Sequence, residues 1–245
     1  MIIIPMAGMS SRFFKAGYDR PKYMLEAHGK TLFEHSVESF KSYFFECQFL
    51  FIIKDQYQTK EFVEAKAKKM GIKRFYIVSL SEDTRGQGET VALGLEKFKS
   101  STGDYDGAIT IFNIDTFRPG FNFPQIINHC NGYLEVFEGD GNNWSFAEPE
   151  SKNSTKVIRT AEKKAISNLC STGLYYFDSI DLYFEAYETY KSMPKENWEK
   201  GELYIAPMYN CLIENGYDIH YDKITREDVI FCGVPDEYIN FVKRK

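Results

Sequence analysis

The first 115 residues alternate between two hydrophobic rhythms. Ile2-Ile3-Ile4 is a short, unbroken apolar run, the pattern of a strand buried on both faces. From Thr31 the period changes. Leu32, Phe33, Val37, Phe40 and Phe44 recur at helical spacing, and Thr31 with Glu34 three residues later fits a capping box. Phe49 to Ile53 predicts a second buried strand. A helix follows from about Thr59 to a stop at Gly71. Phe75 to Val78 predicts a third strand, Glu89 to Phe98 a helix, and Ala108 to Phe112 a fourth strand. Strands separated by helices of this length imply crossover units and a mostly parallel sheet covered on both faces.

The second half changes texture. Short β-like stretches (Tyr133 to Phe137, Trp144 to Ala147, Lys156 to Thr160, Gly173 to Phe177) flank polar loops such as Glu138 to Asn143. Two amphipathic helices are expected, Ser179 to Tyr190 and Leu203 to Asn215, the latter stopped by Gly216. No repeat, low-complexity tract or linker divides the chain. The expectation is therefore one α/β domain over 1–245, with halves 1–120 and 121–245.

Composition narrows the classes of function. The 245 residues are 43% hydrophobic and 27% charged, ordinary for a soluble protein, and the net charge of −5 argues against a broad basic face for nucleic acid. No apolar run reaches the length of a membrane span, and no basic stretch precedes an apolar segment at the N-terminus, so a cytoplasmic protein is expected. The five cysteines are scattered without a Cys-x-x-Cys pair, which reads as reduced thiols. The four histidines lack His-x-x-x-His spacing, so a zinc hydrolase is disfavoured.

Parallel sheets place ligands beyond the carboxyl ends of their strands, which singles out the turn after Ile4 and the strand end at Asp115. The turn reads Pro5-Met6-Ala7-Gly8-Met9-Ser10-Ser11-Arg12, with Pro21-Lys22 following. Small residues let the backbone approach a ligand, and Arg12 and Lys22 add fixed positive charge suited to phosphates. The spacing is neither a Walker loop nor a dinucleotide fingerprint. Thr84 to Val91 is a second glycine-containing approach to a helix, and Phe112-Asn113-Ile114-Asp115 ends a buried strand in an acid. Glu162-Lys163 and Ser171-Thr172-Gly173 complete the set.

The run Ile4 to Arg12 followed by Pro21-Lys22 resembles the signature of nucleotidyltransferases that make sugar nucleotides. That resemblance implies a three-layer α/β/α, Rossmann-like fold with a central mixed, mostly parallel sheet. It further implies that Ala7, Gly8, Met9, Ser10 and Ser11 wrap the nucleotide, that Arg12 neutralises leaving pyrophosphate, and that Lys22 contacts phosphate. Gln87 and Gly88 resemble the base-recognition loop, and Asp115 the strand-end carboxylate that holds Mg²⁺. Many relatives carry a second acid where this chain has Phe231, with Asp228 nearby. Glu162, Lys163, Thr172 and Gly173 resemble the acceptor site, although Lys164 replaces a proline common in the family.

The implied reaction is attack by an acceptor phosphate on the α-phosphorus of a nucleoside triphosphate, releasing pyrophosphate, with no enzymic nucleophile. Phe112 to Thr116, Trp144 to Glu148, Ser167 to Tyr176 and Tyr204 to Asn210 resemble a subgroup associated with bacterial capsule and surface-polysaccharide genes. Within it, the chain is similar to the cytidylyltransferases of the capsule phosphoramidate pathway, which use CTP and a phosphorylated amino-acid amide, phosphoglutamine. CTP is the expected nucleotide, over UTP or dTTP with a hexose 1-phosphate. A glycosyltransferase is disfavoured because Asn113-Ile114-Asp115 supplies one acid where an Asp-x-Asp motif needs two, and a non-catalytic nucleotide-binding protein would release no pyrophosphate. An aromatic content of 16% leaves room for a homo-oligomeric interface.

Overall fold

The computed structural model describes residues 1–102 and 105–244. In chain order its elements are β1 (Ile2–Met6), α1 (Ser11–Lys15), β2 (Glu26–Ala27), β3 (Lys30–Thr31), α2 (Leu32–Val37), β4 (Gln48–Lys54), α3 (Thr59–Met70), β5 (Arg74–Leu80), α4 (Gln87–Thr102) and β6 (Ile109–Phe112). Then come β7 (Thr116–Phe117), β8 (Gly132–Glu138), β9 (Ser145–Pro149), β10 (Val157–Glu162), β11 (Leu169–Phe177), α5 (Ile180–Ser192), α6 (Ile205–Glu214), β12 (Ile219–Ile224), β13 (Ile230–Phe231) and α7 (Pro235–Lys243). Helices flank a mixed, mostly parallel sheet, the fold class the periodicity and the family signature predict.

Contacts group these elements into two units interleaved along the chain. One comprises 2–82, 112–122 and 227–245; the other comprises residue 1, 83–111 and 123–226.

In the first unit β4 lies between β1 and β5, all parallel, with Ile4 opposite Phe51 and Ile52 opposite Val78. The apolar runs are continuous because both faces are covered: Ile2, Ile3 and Ile4 and all five residues from Phe49 to Ile53 are wholly buried. The predicted capping box of α2 is present, Thr31 accepting from the Glu34 N–H and Glu34 reaching back to the Thr31 N–H. Gly71 ends α3 in a left-handed conformation, φ 83°, as its position in the sequence predicts. β7 and β13 pair antiparallel, with Phe231 opposite Thr116, and the Cys232 N–H donates to the Asp115 carbonyl at 2.8 Å. This small ladder carries the C-terminal segment to the strand-end acid. Beyond this ladder the chain enters α7, which has Pro235 in its first turn.

In the second unit β11 is central and buried along all nine residues, with β8 antiparallel on it and β12 parallel to β8. The path β10-β9-β11-β6 runs on its other side. The register between β11 and β8 shifts between Ser171 and Tyr175, where Gly173 takes φ 87°. β12 is a strand the hydrophobic pattern does not announce, since only Ile219 among its residues is fully buried. Among the described residues no helix is long and apolar enough to cross a membrane.

Candidate active site

In the first unit, β1 ends at Met6 and the chain turns through half-buried Ala7 into exposed Gly8 and Met9. Ser10, with φ 50°, then bends the chain into α1. Ser11 and Arg12 stand exposed at the start of that helix. The Ser10 hydroxyl accepts the Lys22 N–H at 3.2 Å, fastening the loop to the Pro21-Lys22 step. Lys22 Nζ in turn lies 2.6 Å from Asp115 Oδ2, in a pair whose side chains are 21% and 23% exposed. Three separate sequence signals, the small-residue loop, the lysine after proline and the strand-end acid, therefore form one connected cluster. Arg12 stands exposed in the first turn of α1, directly after the loop.

A shallow cleft opens beside this loop, lined by Ala7, Gly8, Met9, Pro21, Gln56 and Tyr57 among others. Gln56 and Tyr57 follow the carboxyl end of β4, and local patterning gave no reason to single them out. Tyr57 stacks on Phe14 of α1 at 5.5 Å between ring centroids.

Asp115 presents one carboxylate. Among the described residues no group of three or more His, Cys, Asp or Glu side chains gathers to hold a metal. One carboxylate suits Mg²⁺, which keeps several waters and shares its remaining positions with phosphate oxygens. Gly233 keeps that carboxylate accessible, since a Cβ at 233 would sit 2.9 Å from Asp115 Oδ2. Glu237, the other acid nearby, spends Oε2 accepting the Gly233 and Val234 N–H groups at 2.8 and 3.2 Å.

In the second unit, Gly86 and Gly88 lie against the backbone of Leu203. The Leu203 N–H donates to the Arg85 carbonyl at 2.9 Å, and the Gly88 N–H donates to the Leu203 carbonyl at 2.8 Å. The Gly88 carbonyl accepts from the Tyr183 hydroxyl at 2.6 Å. Both main-chain groups of Gly88 are thus engaged within the protein, while Gln87, the first residue of α4, is half-exposed. Arg85 reaches the carboxylate of Glu89 and also lies 5.4 Å from the ring of buried Trp198.

Glu162 and Lys163 form a second cluster in the same unit. Glu162 is buried, and its carboxylate accepts from the Ser145 hydroxyl, which also meets Tyr175 at 3.2 Å. Burial pushes the Glu162 carboxyl above its ordinary range, although the Ser145 hydroxyl and the Lys163 ammonium pull the other way. Lys163 takes φ 54°, and its N–H donates to the Trp144 carbonyl at 2.8 Å. Its Nζ donates to the Tyr204 hydroxyl at 2.5 Å and stands 3.5 Å from Glu162 Oε1. Burial works to lower the Lys163 pKa, yet the Tyr204 hydroxyl and the Glu162 charge outweigh it and the ammonium is stabilised.

Thr172 is turned elsewhere: its hydroxyl donates to the Glu135 carboxylate at 3.0 Å, and only 1% of the residue is exposed. Gly173 supplies the bulge rather than a side chain. Tyr204, Ser145 and Glu199, whose carboxylate accepts the Glu162 N–H, are members that motif spacing missed. Their partners lie 41, 17 and 37 residues away, so no local pattern marks them.

No family model and no curated protein matches the chain. Solved structures do. A nucleoside-diphosphate-sugar pyrophosphorylase from Vibrio cholerae RC9 is 63% identical, with each chain covered over 100% of its length and a TM-score of 0.98. A UDP-glucose pyrophosphorylase complexed with UDP-glucose (16% identity, 98% of this chain and 96% of that one, TM-score 0.71) shares the fold. So does the inositol-1-phosphate CTP transferase from T. maritima (13% identity, 96% and 90%, TM-score 0.70). With identity of that order over its full length to the Vibrio cholerae protein, the chain belongs to the nucleoside-diphosphate-sugar pyrophosphorylase family of nucleotidyltransferases.

Proposed function

We propose that the protein transfers a nucleoside monophosphate from a nucleoside triphosphate to the phosphate of a small phosphorylated acceptor, with release of pyrophosphate. The observation that carries this reading is the Ser10–Lys22–Asp115 cluster, which sets a cation and an acid beside a small-residue loop. In the reaction an acceptor phosphate oxygen forms a new bond to the α-phosphorus while the bond from that phosphorus to the bridging oxygen breaks. The electron pair leaves with pyrophosphate. A phosphate is nucleophilic at neutral pH, so the protein's part is orientation and charge cancellation.

The loop from Ala7 to Ser11 wraps the nucleotide, and Gln87 reads the base edge. Lys22 steadies the phosphate under attack, and Arg12 balances charge on the departing pyrophosphate. Glu162 accepts hydrogen bonds from hydroxyl or amine groups of the acceptor, and Lys163 meets its phosphate. Mg²⁺, held by Asp115, would supply further charge neutralisation between phosphates.

For the finer specificity, we favour CTP with phosphoglutamine in capsule or surface-polysaccharide precursor synthesis, on the strength of the subgroup-like segments. The name of the 63% identical protein favours a second reading, a UTP- or dTTP-dependent hexose-1-phosphate nucleotidylyltransferase. Incubating the protein with Mg²⁺, each of CTP, UTP and dTTP, and either phosphoglutamine or glucose 1-phosphate separates the two by pyrophosphate release. Turnover of CTP with phosphoglutamine supports the first reading, and turnover of UTP or dTTP with glucose 1-phosphate the second. Silence across the panel, extended to the remaining nucleotides and other phosphorylated acceptors, overturns both.

A further inference from the structure

We infer that Tyr204 is a positioning residue for Lys163, and that the Leu203–Tyr204 step ties the placement of that lysine to the Gly86–Gly88 loop. The inference rests on the reading of Lys163 as the acceptor-phosphate cation.

Two features fix Leu203. Its N–H and carbonyl both bond the 85–88 segment, at 2.9 and 2.8 Å. No space separates the two backbones: a Cβ on Gly86 would lie 2.6 Å from the Leu203 carbonyl oxygen and 2.7 Å from its nitrogen, and one on Gly88 would lie 2.9 Å from the same oxygen. The Leu203 side chain is wholly buried, so this segment has little freedom to slide.

The next residue carries the functional contact. Tyr204 begins the turn into α6, and its hydroxyl accepts from Lys163 Nζ while its ring centroid lies 4.3 Å from that ammonium. Glu162 Oε1, the competing partner, is farther away at 3.5 Å. Tyr204 therefore holds the lysine back from a tight ion pair with Glu162. Such a pair would neutralise both groups and leave neither ready for an acceptor. An ammonium has three donors. With one on Tyr204, others remain for a phosphate. Lys163 adopts a left-handed backbone conformation, φ 54°, that a lysine seldom takes, so its starting point is fixed as well as its tip.

The test uses the full-length protein with its lysines reductively ¹³C-methylated. The Lys163 resonance is identified by its absence in Lys163→Arg and then titrated by NMR. In Tyr204→Phe, which keeps the ring and removes the acceptor, Lys163 titrates at lower pH than in the parent protein. Gly88→Ala, which presses on the Leu203 carbonyl, also shifts that titration. Alongside it, Tyr204→Phe raises KM about tenfold for whichever of phosphoglutamine or glucose 1-phosphate the parent consumes. KM for the nucleotide stays within about twofold.

An unmoved Lys163 titration in Tyr204→Phe overturns the positioning role, and an unmoved titration in folded Gly88→Ala overturns the tie to the loop. Should Gly88→Ala fail to fold, Leu203→Ala, judged by the same titration, decides that half. A parent protein that consumes no acceptor, while Lys163 still responds to Tyr204→Phe, defeats the proposed function and leaves the positioning intact.

Discussion

Lys22 Nζ and Asp115 Oδ2 meet at 2.6 Å across 93 residues of sequence, and the same lysine takes the Ser10 hydroxyl as acceptor for its backbone N–H. The pair is only partly buried, so its value to stability is modest while its value as fixed charge next to a phosphate loop is large. Lys22→Ala and Asp115→Ala should each lower the rate of pyrophosphate release by about 10²–10³-fold. Their melting temperatures should fall by no more than about 2–4 °C, the shift expected from about 1 kcal/mol in a chain of this size. Steady-state kinetics and thermal melts of the two variants check this. Near-normal turnover in either removes the role assigned to that residue.

Gly86 offers a test of the packing beneath the predicted base-reading loop. Its φ of +147° and the backbone of Leu203 within 3 Å of an added Cβ leave no room for alanine. Gly86→Ala should cost about 2–3 kcal/mol in urea unfolding, combining backbone strain with overpacking. Gly120→Ala is the matched comparison. Its φ is +73° with nothing near the new methyl, and the expected cost is about 1 kcal/mol from conformation alone. Equal losses in the two variants would contradict the clamp between Gly86 and Leu203.

Glu34 makes stability depend on acid. Burial opposes its charge, but hydrogen bonds from Lys66 Nζ at 2.8 Å and from the Thr31 N–H and hydroxyl at 2.9 Å outweigh that effect. They hold the carboxyl down at about 2, from 4.5. Its folded-state pKa is depressed, so the contribution is complete above pH 4.5 and is lost as pH falls through about 2. A displacement of that size corresponds to about 3 kcal/mol. Urea midpoints for the parent protein should drop across this window, and Glu34→Gln should flatten the drop.

Glu162 carries the opposite sign. Burial raises its pKa, so its favourable contribution is present below pH 4.5 and disappears as pH rises through the higher folded value. At neutral pH, above the ordinary carboxyl value, the raised pKa costs stability that glutamine avoids. Glu162→Gln should therefore melt at or above the parent temperature at pH 7, with the advantage gone below pH 4.5. Its KM for the acceptor should rise by about 10- to 100-fold through loss of a charged hydrogen-bond acceptor. A variant destabilised at pH 7 would show that the Lys163 and Ser145 contacts outweigh burial.

What the sequence could disclose depended on how far each determinant reaches. Short-range rules were legible: Thr31 and Glu34 announce the start of α2, Gly71 the end of α3, and the continuous apolar run Phe49 to Ile53 a strand covered on both faces. The fold class followed from their alternation, and the loop signature pointed to the family. β12 was not legible because its residues after Ile219 are half-exposed, which blurs the alternation. α7 escaped because its opening, Val234-Pro235-Asp236, has the composition of a turn. Tyr204 and Ser145 became visible only once β9, β10 and α6 were assembled, since their significance lies in contacts with Glu162 and Lys163 rather than in neighbouring letters. Thr172 shows the converse. Its place in a familiar motif suggested a ligand contact, and the fold turns its hydroxyl to Glu135.

The positive φ angles at Ser10 and Lys163 bear on how this protein can be engineered. Each places an ordinary side chain where glycine would relax the chain, by about 1 kcal/mol per site. A thermostability screen would therefore reward glycine at 10 and at 163. The winners would be hardier molecules stripped of the lysine and the serine latch, so selection for robustness and selection for turnover pull these two positions in opposite directions.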